Sequence, residues 1–318
     1  HFSHGVTIES IMGRQKNSTH RMQTFRTKLR HIQSALSAAD VFCGHGYESV
    51  DDESVALLLG SAGLPPDQPV SVLDTPFPDV ANTRLNELLD KRCEQRLPAA
   101  YCLGEAYLAG ERFIADSRAL VPRSPIAHLT RERLVPWWPE GALPNTIVDV
   151  CCGGGSLGLI AARMFPDAVI LLSDFDQSAL SLAVENIEAH SQCAQVRCLR
   201  ADLLGALAPG SVDILLANPP YVSAQEMAEL PPEYAHEPGM ALEAEAEGTA
   251  LAVRLLREAS SVLSPRGLMV LEVGETASTL EEALPRVPFL WLDLPQGGSG
   301  VTAISAQELR DWSATGVL

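Results

Sequence analysis

Residues 212–223 read VDILLANPPYVS, an apolar run that halts at an amide side chain, two prolines and a tyrosine. Proline has no N–H for a sheet ladder, and Pro219 pushes Asn218 toward extended backbone. A core strand therefore ends with Asn218 held at its edge. Asn218 carries one carbonyl acceptor and one NH₂ donor, and the Pro219 carbonyl is a second acceptor with no N–H beside it. Two acceptors on a rigid strand end can grip both N–H bonds of a flat NH₂ group, and Tyr221 can stack on that group. A primary amide fits, as does the exocyclic amine of adenine or cytosine. An amide nitrogen is a poor nucleophile because its lone pair is delocalised into the carbonyl. Fixing both hydrogens aims the nitrogen at an electrophile, and positioning supplies up to roughly 7–11 kcal/mol in ideal cases. Acceptors facing the charge that develops on nitrogen act mainly in the transition state. No strong general base is evident, and none is needed, since an alkylated nitrogen sheds its proton readily.

Three more signals fall at strand ends upstream. In IVDVCCGGGSLGLIAA, Asp149 ends a strand, Gly153 to Gly155 follow, and a helix begins near Ser156. Glycines let backbone pass close to a ligand and turn into a helix. In AVILLSDFD the strand ends at Asp174, twenty-five residues after Asp149, and an acid there can hold ribose hydroxyls, a spacing that NAD sites share. Asp176 reads as the cap of the next helix. CLRADLLGAL puts Asp202 at the following strand end, where a carboxylate can accept from an adenine amino group. Each alone fits a tight turn or a cap. Together, on the carboxyl edge of an open α/β sheet, they mark an adenosine-type ligand. The electrophile that suits such a site is the sulfonium methyl of S-adenosylmethionine.

The elements that must position these residues form two blocks. After a polar extension over 1–23, which reads as a remnant or loose arm, helical spacing dominates 24–103. Phe25, Leu29, Ile32, Leu36 and Val41 give one helix, 51–60 a second, and 80–96 a third, with proline loops between the last two. Residues 104–122 hold two short apolar runs around Ala109-Gly110, a hairpin linker. Residues 123–318 open with a helix expected over 124–138. Strands then alternate with helices near 155–165, 176–190 and 247–263, ending in FLWLDL and GVTAIS as a closing hairpin. That alternation predicts an α/β fold with a mostly parallel, doubly wound sheet.

The 318 residues are 46% hydrophobic, enough for a large core, and no apolar run reaches the roughly 18 residues that span a bilayer. With no signal-peptide pattern, the expectation is a soluble cytoplasmic protein. The formal net charge is −17, which repels nucleic-acid phosphates and favours basic partners. Seven cysteines without metal-ligand spacing read as reduced thiols. No metal is expected.

Asp149-x-Cys151-x-Gly153-x-Gly155, followed by Asn218-Pro219-Pro220-Tyr221, resembles the class I methyltransferases that methylate glutamine side-chain nitrogen (N5) in proteins. RLPAAYCLGEAYLAGERFIADSRALVPRSPI is similar to that family's linker. VPRSPI, PPEYAHEP and FCGHGYESVDDE resemble the branch acting on ribosomal large-subunit protein 3, and the likeness runs from Phe25 to Leu309. It departs at CysCysGlyGlyGlySer and at EAEAEGTA over 243–250.

The resemblance implies a Rossmann-like, seven-stranded catalytic domain over 123–318 and a substrate-recognising helical domain over 24–103. It implies S-adenosylmethionine bound by Asp149, Cys151, Gly153, Gly155, Asp174, Asp202, Leu203 and Asn218. The glutamine would meet Asn218, Pro219, Pro220, Tyr221 and Arg123, with Asn218, Pro219 and Tyr221 catalytic. Arg123 reads equally as a structural ion pair, and Tyr234 and His236 could shape a loop over the target. Three other readings stand beside this one: peptide-chain release factors as substrate, a nucleic-acid amino-methyltransferase, and a cofactor-binding protein without catalysis.

Overall fold

The computed structural model describes residues 23–190, 194–295 and 297–318. The expected extension, up to residue 22, and Cys193 lie outside them.

Helix α1 (Phe25–Ala38) starts where Thr24 caps the Thr27 N–H. Helix α2 (Val50–Ser61) starts at Ser49, which caps Asp52 N, with three acids in its first turn to meet the helix dipole. Helix α3 (Ala81–Leu89) runs into a wider turn over Asp90–Glu94, so the expected third helix is two segments. A short α4 (Ala99–Leu103) ends at Gly104, whose φ of 75° suits a left-handed cap. Phe25, Ile32, Leu36, Leu57, Leu58 and Leu85 bury one core between these helices. The linker is the expected hairpin, β1 (Glu105–Leu108) with β2 (Glu111–Ile114). Ala109 and Gly110 both have positive φ, as a two-residue hairpin turn requires.

Helix α5 (Ile126–Arg131) is shorter than the expected 124–138. Arg133 and Leu134 take left-handed backbone, and Pro136 has no N–H to continue the helix. The main sheet then forms from β3 (Thr146–Val150), β4 (Val169–Asp174), β5 (Val196–Arg200), β6 (Val212–Ala217), β7 (Leu263–Glu272) and β8 (Val301–Ser305). Its order is β5-β4-β3-β6-β7-β8, and only β8 runs antiparallel. The expected seventh strand, 289–294, is reduced to one bridge at Trp291–Thr302, with Leu292 N donating to Val301 O at 2.8 Å. Pro288 and Pro295 bracket that segment, and Phe289 N turns back to Val287 O, so only its centre pairs.

Helices α6 (Ser156–Met164) and α7 (Gln177–Ala189) cross over to the left half, and α9 (Ala250–Val262) packs beneath the right half. Short α8 (Ala224–Glu229), α10 (Ala277–Ala283) and the terminal α11 (Ala306–Ala314) complete the fold. Apolar residues on both faces of the strands, such as Ile147, Val148, Ile214 and Leu215, are fully buried. This is the pattern of a sheet covered on both sides. The chain order reverses between β3 and β6, and at such a switch point loops splay apart and leave a crevice. No helix among the described residues is long and apolar enough to cross a membrane.

One buried charge cluster ties the helices to the loop after α8. Arg92 is 1% exposed. Its Nε donates to Glu53 Oε1 at 2.5 Å, Nη1 to Glu233 Oε1 at 3.0 Å and Nη2 to Phe42 O at 2.8 Å. Removing the cation would leave Glu53 buried and unpaired and Glu233 with Arg96 as its remaining cation, a loss typically of about 3–5 kcal/mol. Arg92→Ala should lower the urea-unfolding free energy by about that much, with Arg92→Lys between it and the wild type. An unchanged unfolding midpoint would show that the cluster contributes nothing to stability.

Candidate active site

The glycine loop leaves β3 through unusual backbone. Cys151 has φ 55° and Gly153 φ 53°, while Gly155 has φ 81° just before α6. A Cβ on Gly155 would stand 2.7 Å from Leu172 Cδ1. Asp149 is 1% exposed and turns toward α6, where its Oδ2 accepts the Gly158 N–H at 2.8 Å. Burial pushes its carboxyl up to about 7, against the pull of that hydrogen bond. Gly158 was not singled out from the sequence. Its Cβ would fall 3.1 Å from Asp149 Cβ and even nearer the Leu172 side chain, so only glycine lets α6 approach.

Asp174, ending β4, fixes the loop from the next strand. Its Oδ2 accepts from Gly153 N and its Oδ1 from Asp176 N, both at 2.9 Å. Burial raises its carboxyl above the ordinary range. Asp202 sits past β5, exposed, with Arg254 Nη1 on its Oδ1 at 2.8 Å. Leu203 beside it is buried and has φ 47°.

These strand ends line a cavity of about 450 Å³. Its wall includes Asp149, Cys151, Gly153, Asp174, Asp202, Leu203, Arg123, Asn218 and Pro220. Gly155 is not on that wall; it supports the loop from behind. Phe175, 58% exposed, and Met240 also line this cavity and were not expected from the sequence.

A second cavity of about 670 Å³ opens on the other side of Asn218. Pro219, Tyr221, Tyr234, Glu272 and Gly44 are among its lining residues. Asn218, Arg123, Leu120 and Ala241 border both cavities. The strand end that seemed best suited to grip an NH₂ group thus stands where the two spaces meet.

Tyr221 is closely fitted. Thr276 Oγ1 donates to its carbonyl at 2.7 Å. A Cβ on Gly248 would fall 2.1 Å from that carbonyl oxygen, and a Cβ on Gly274 would fall 2.7 Å from the ring. Both glycines have positive φ. Gly248 lies in the stretch EAEAEGTA, so that departure from the family pattern keeps the glycine the tyrosine needs.

The segment 231–238 reaches both cavities, the second through Tyr234 and the first through Pro238. Arg123 donates Nη1 to Glu237 Oε1 at 2.6 Å and Nη2 to Oε2 at 2.8 Å, a bidentate pair. Its charge lies 5.6 Å from the centre of the Tyr234 ring, which in turn packs 4.4 Å from His45. Arg123 is therefore held as the ion pair, and its fork faces Glu237. Its partner was missed, because no local pattern links 123 to 237. His236 Nε2 instead contacts Gln95 O at 2.8 Å. No group of residues suited to a metal ion occurs among the described residues.

Burial would raise the Glu237 carboxyl, but Arg123, with help from His45, holds it down at about 2. A depressed carboxylate contributes stability present above its unfolded value of about 4.3 and lost as pH falls through the folded value. The shift corresponds to about 3 kcal/mol. Chemical denaturation at pH 5 should show Glu237→Gln less stable than wild type by about that amount, with the gap closing toward pH 2. A gap that is constant with pH would exclude the ion pair as its source.

Residues 134–231 match the methyltransferase small domain family. The ribosomal protein uL3 glutamine methyltransferase of Bordetella pertussis is 37% identical over 296 residues, 93% of this chain and 99% of that one. The enzyme of the same name from Francisella tularensis is 34% identical over 296 residues, again 93% of this chain and 94% of that one. Among solved structures, the hMettl16 catalytic domain in complex with MAT2A 3'UTR hairpin 6 aligns with 72% of this chain and 83% of its own. The TM-score there is 0.49 at 15% identity. With a third of its residues shared along nearly the full length of both relatives, this chain belongs to the family of ribosomal protein uL3 glutamine methyltransferases.

Proposed function

We propose that this chain transfers a methyl group from S-adenosylmethionine to the side-chain nitrogen of a glutamine in ribosomal protein uL3. The observation that carries the reading is the place of Asn218, at the join of the two cavities. One cavity has the size and mixed lining of a small-molecule site. The other is open enough for a peptide side chain.

The first cavity suits the methyl donor. Asp174 and Asp202 would meet the ribose and adenine ends. Asp202 keeps Oδ2 available beside its Arg254 pair. The loop Cys151–Gly155, entering α6, would bring backbone close to the amino-acid end, with Leu203 and Phe175 as apolar sides. When bound, S-adenosylmethionine supplies an electrophilic methyl on sulfonium sulfur. Everything else falls to the chain. Asn218 Oδ1 and Pro219 O accept the two amide N–H bonds and hold the nitrogen toward the first cavity. Pro220 keeps the backbone rigid there, and Tyr221 covers the amide face. Arg123 acts through Glu237, keeping the 231–238 wall against the target.

A basic protein substrate fits the surface. The net charge is −17, and exposed Glu229 and Glu275 stand at the second cavity with Glu226. The same carboxylates oppose a nucleic-acid strand. Gly44 reaches this cavity from residues 24–103, and Phe42 and His45 pack on its Tyr234, which supports a substrate-recognising role for that unit. A ribosomal protein as substrate supports a cytoplasmic site of action.

The purified chain with S-adenosylmethionine and unmodified uL3 should add one methyl to one glutamine, read by peptide mass spectrometry. Asn218→Ala should lower the rate at least about a hundredfold, as loss of one aimed polar group at a reacting centre does elsewhere. Equal methylation by Asn218→Ala would remove the assignment. Preferential methylation of a peptide-chain release factor would change the substrate and keep the chemistry.

A further inference from the structure

Glu272 is the one strongly buried carboxylate at the second cavity that the proposed chemistry leaves without a task. It is the last residue of β7 and 6% exposed. Ala217 pairs with Leu271 across β6 and β7, so Asn218 and Glu272 stand level on neighbouring strands. Both line the cavity together with Tyr221. The two carboxyl oxygens face different hydroxyls. Oε2 accepts from Ser124 Oγ, and Oε1 faces Tyr221 Oη at 3.5 Å. The latter is long, as such contacts often are before substrate tightens a site.

We propose that Glu272 is a positioning residue for methyl transfer, acting through Tyr221 on the target amide and through Ser124 on the segment that carries Arg123. The inference rests on the function proposed above. The rest of Tyr221 is already fixed, its carbonyl by Thr276 and its ring against Gly274. Its hydroxyl is the remaining polar atom, and Glu272 is what that hydroxyl meets. Ser124 follows Arg123 directly, so one carboxylate joins the tyrosine over the substrate to the cation behind the wall.

The arrangement is tightest in the ionised form. A carboxylate accepts from both hydroxyls through charge-assisted bonds, whereas protonation reverses one of them, so that a hydroxyl must accept, and leaves both as weaker neutral bonds. The charges facing it are few. Arg123 favours ionisation but is occupied by Glu237, Tyr234 lies beyond Arg123, and Glu275 bonds Ser299 Oγ. Burial therefore prevails and pushes the Glu272 carboxyl up to about 7, with Ser124 the strongest opposing influence.

The test is single-turnover methylation of uL3 across pH 5.5 to 8.5, for wild type, Glu272→Gln and Ser124→Ala, with cofactor affinity measured by calorimetry. The wild-type rate should rise through about pH 7, the value to which burial brings this carboxyl. Glu272→Gln should be about ten- to a hundredfold slower and flat over that range, with unchanged cofactor affinity. Ser124→Ala, lacking the bond that favours ionisation, should shift the midpoint upward. Asp149, the other carboxyl raised to about 7, is intact in both variants and so cannot produce these changes. Wild-type rate and midpoint in Glu272→Gln would overturn the proposal alone. So would parallel losses of melting temperature and cofactor affinity, which mark a purely structural role. A wild-type protein that leaves uL3 unmethylated would defeat the functional reading and this proposal with it.

Discussion

The site depends on a run of buried ion pairs that holds segment 231–238 in place. Regular backbone hydrogen bonding is sparse there, so side chains must do what a strand ladder does elsewhere. Glu237 accepts from both Arg123 amino groups and from Val121 N. Glu233 Oε1 accepts from Phe42 N and Arg92 and lies 2.8 Å from Arg96, while its Oε2 has no partner among the described residues. A buried ion pair is costly to form, and apolar residues of equal volume often stabilise as well. The difference is in geometry. Leucines would tolerate several packings of this segment, whereas a bidentate Arg–carboxylate fork accepts one. The role proposed for this segment, beside a single glutamine side chain, needs that restriction.

The same logic runs through the sheet edge. Strand order reverses between β3 and β6, so the glycine loop and NPPY emerge side by side and turn apart. The reversal creates the crevice, and the residue types decide what each side accepts. Glycines at 153, 155 and 158 bring backbone and helix inward on the β3 side. Prolines at 219 and 220 remove competing donors on the β6 side. Asp149 and Asp174 spend their oxygens mainly on backbone N–H groups, so they shape the loop as much as they face a ligand.

What was legible in the sequence was local. Asp149, Asp174, Asp202 and Asn218 lie within two residues of the carboxyl ends of apolar strands, so their place at one edge could be read from alternation alone. The Ala109-Gly110 turn and the cap at Asp176 belong to the same class. The signature Ser305-x-x-Glu308 would have revealed α11 in the same way, since both halves of that capping box form. What was illegible was long-range. Arg123 and Glu237 are 114 positions apart, and Arg92 and Glu233 are 141 apart. Neither partner announces itself, because a lone arginine or glutamate reads as surface. Element ends also escaped where backbone turned left-handed at non-glycine residues, as at Arg133 and Leu134 after α5. Side-chain chemistry gives no warning of such a turn; the packing around it selects it.

The division between legible and illegible parts bears on specificity. NPPY and the glycine loop ask only for a flat NH₂ group and a methyl donor, and an adenine amine meets that demand as well as a glutamine. Selection must come from surfaces the motif does not encode. Here those surfaces are the 231–238 segment, the α1–α2 loop with Phe42 and His45 packed on Tyr234, and the carboxylates around the second cavity. All are held by contacts between residues far apart in sequence. Change in these contacts can redirect the enzyme while the strand ends stay fixed, because the chemistry needs the edge of the sheet and the choice of substrate needs only what leans over it. Tyr234 lies on that boundary, tied to the helical unit through His45 and to the catalytic half through Arg123. Under the proposed placement of the substrate, a shift of the helical unit reaches the target amide through Tyr234 without any change in Asn218.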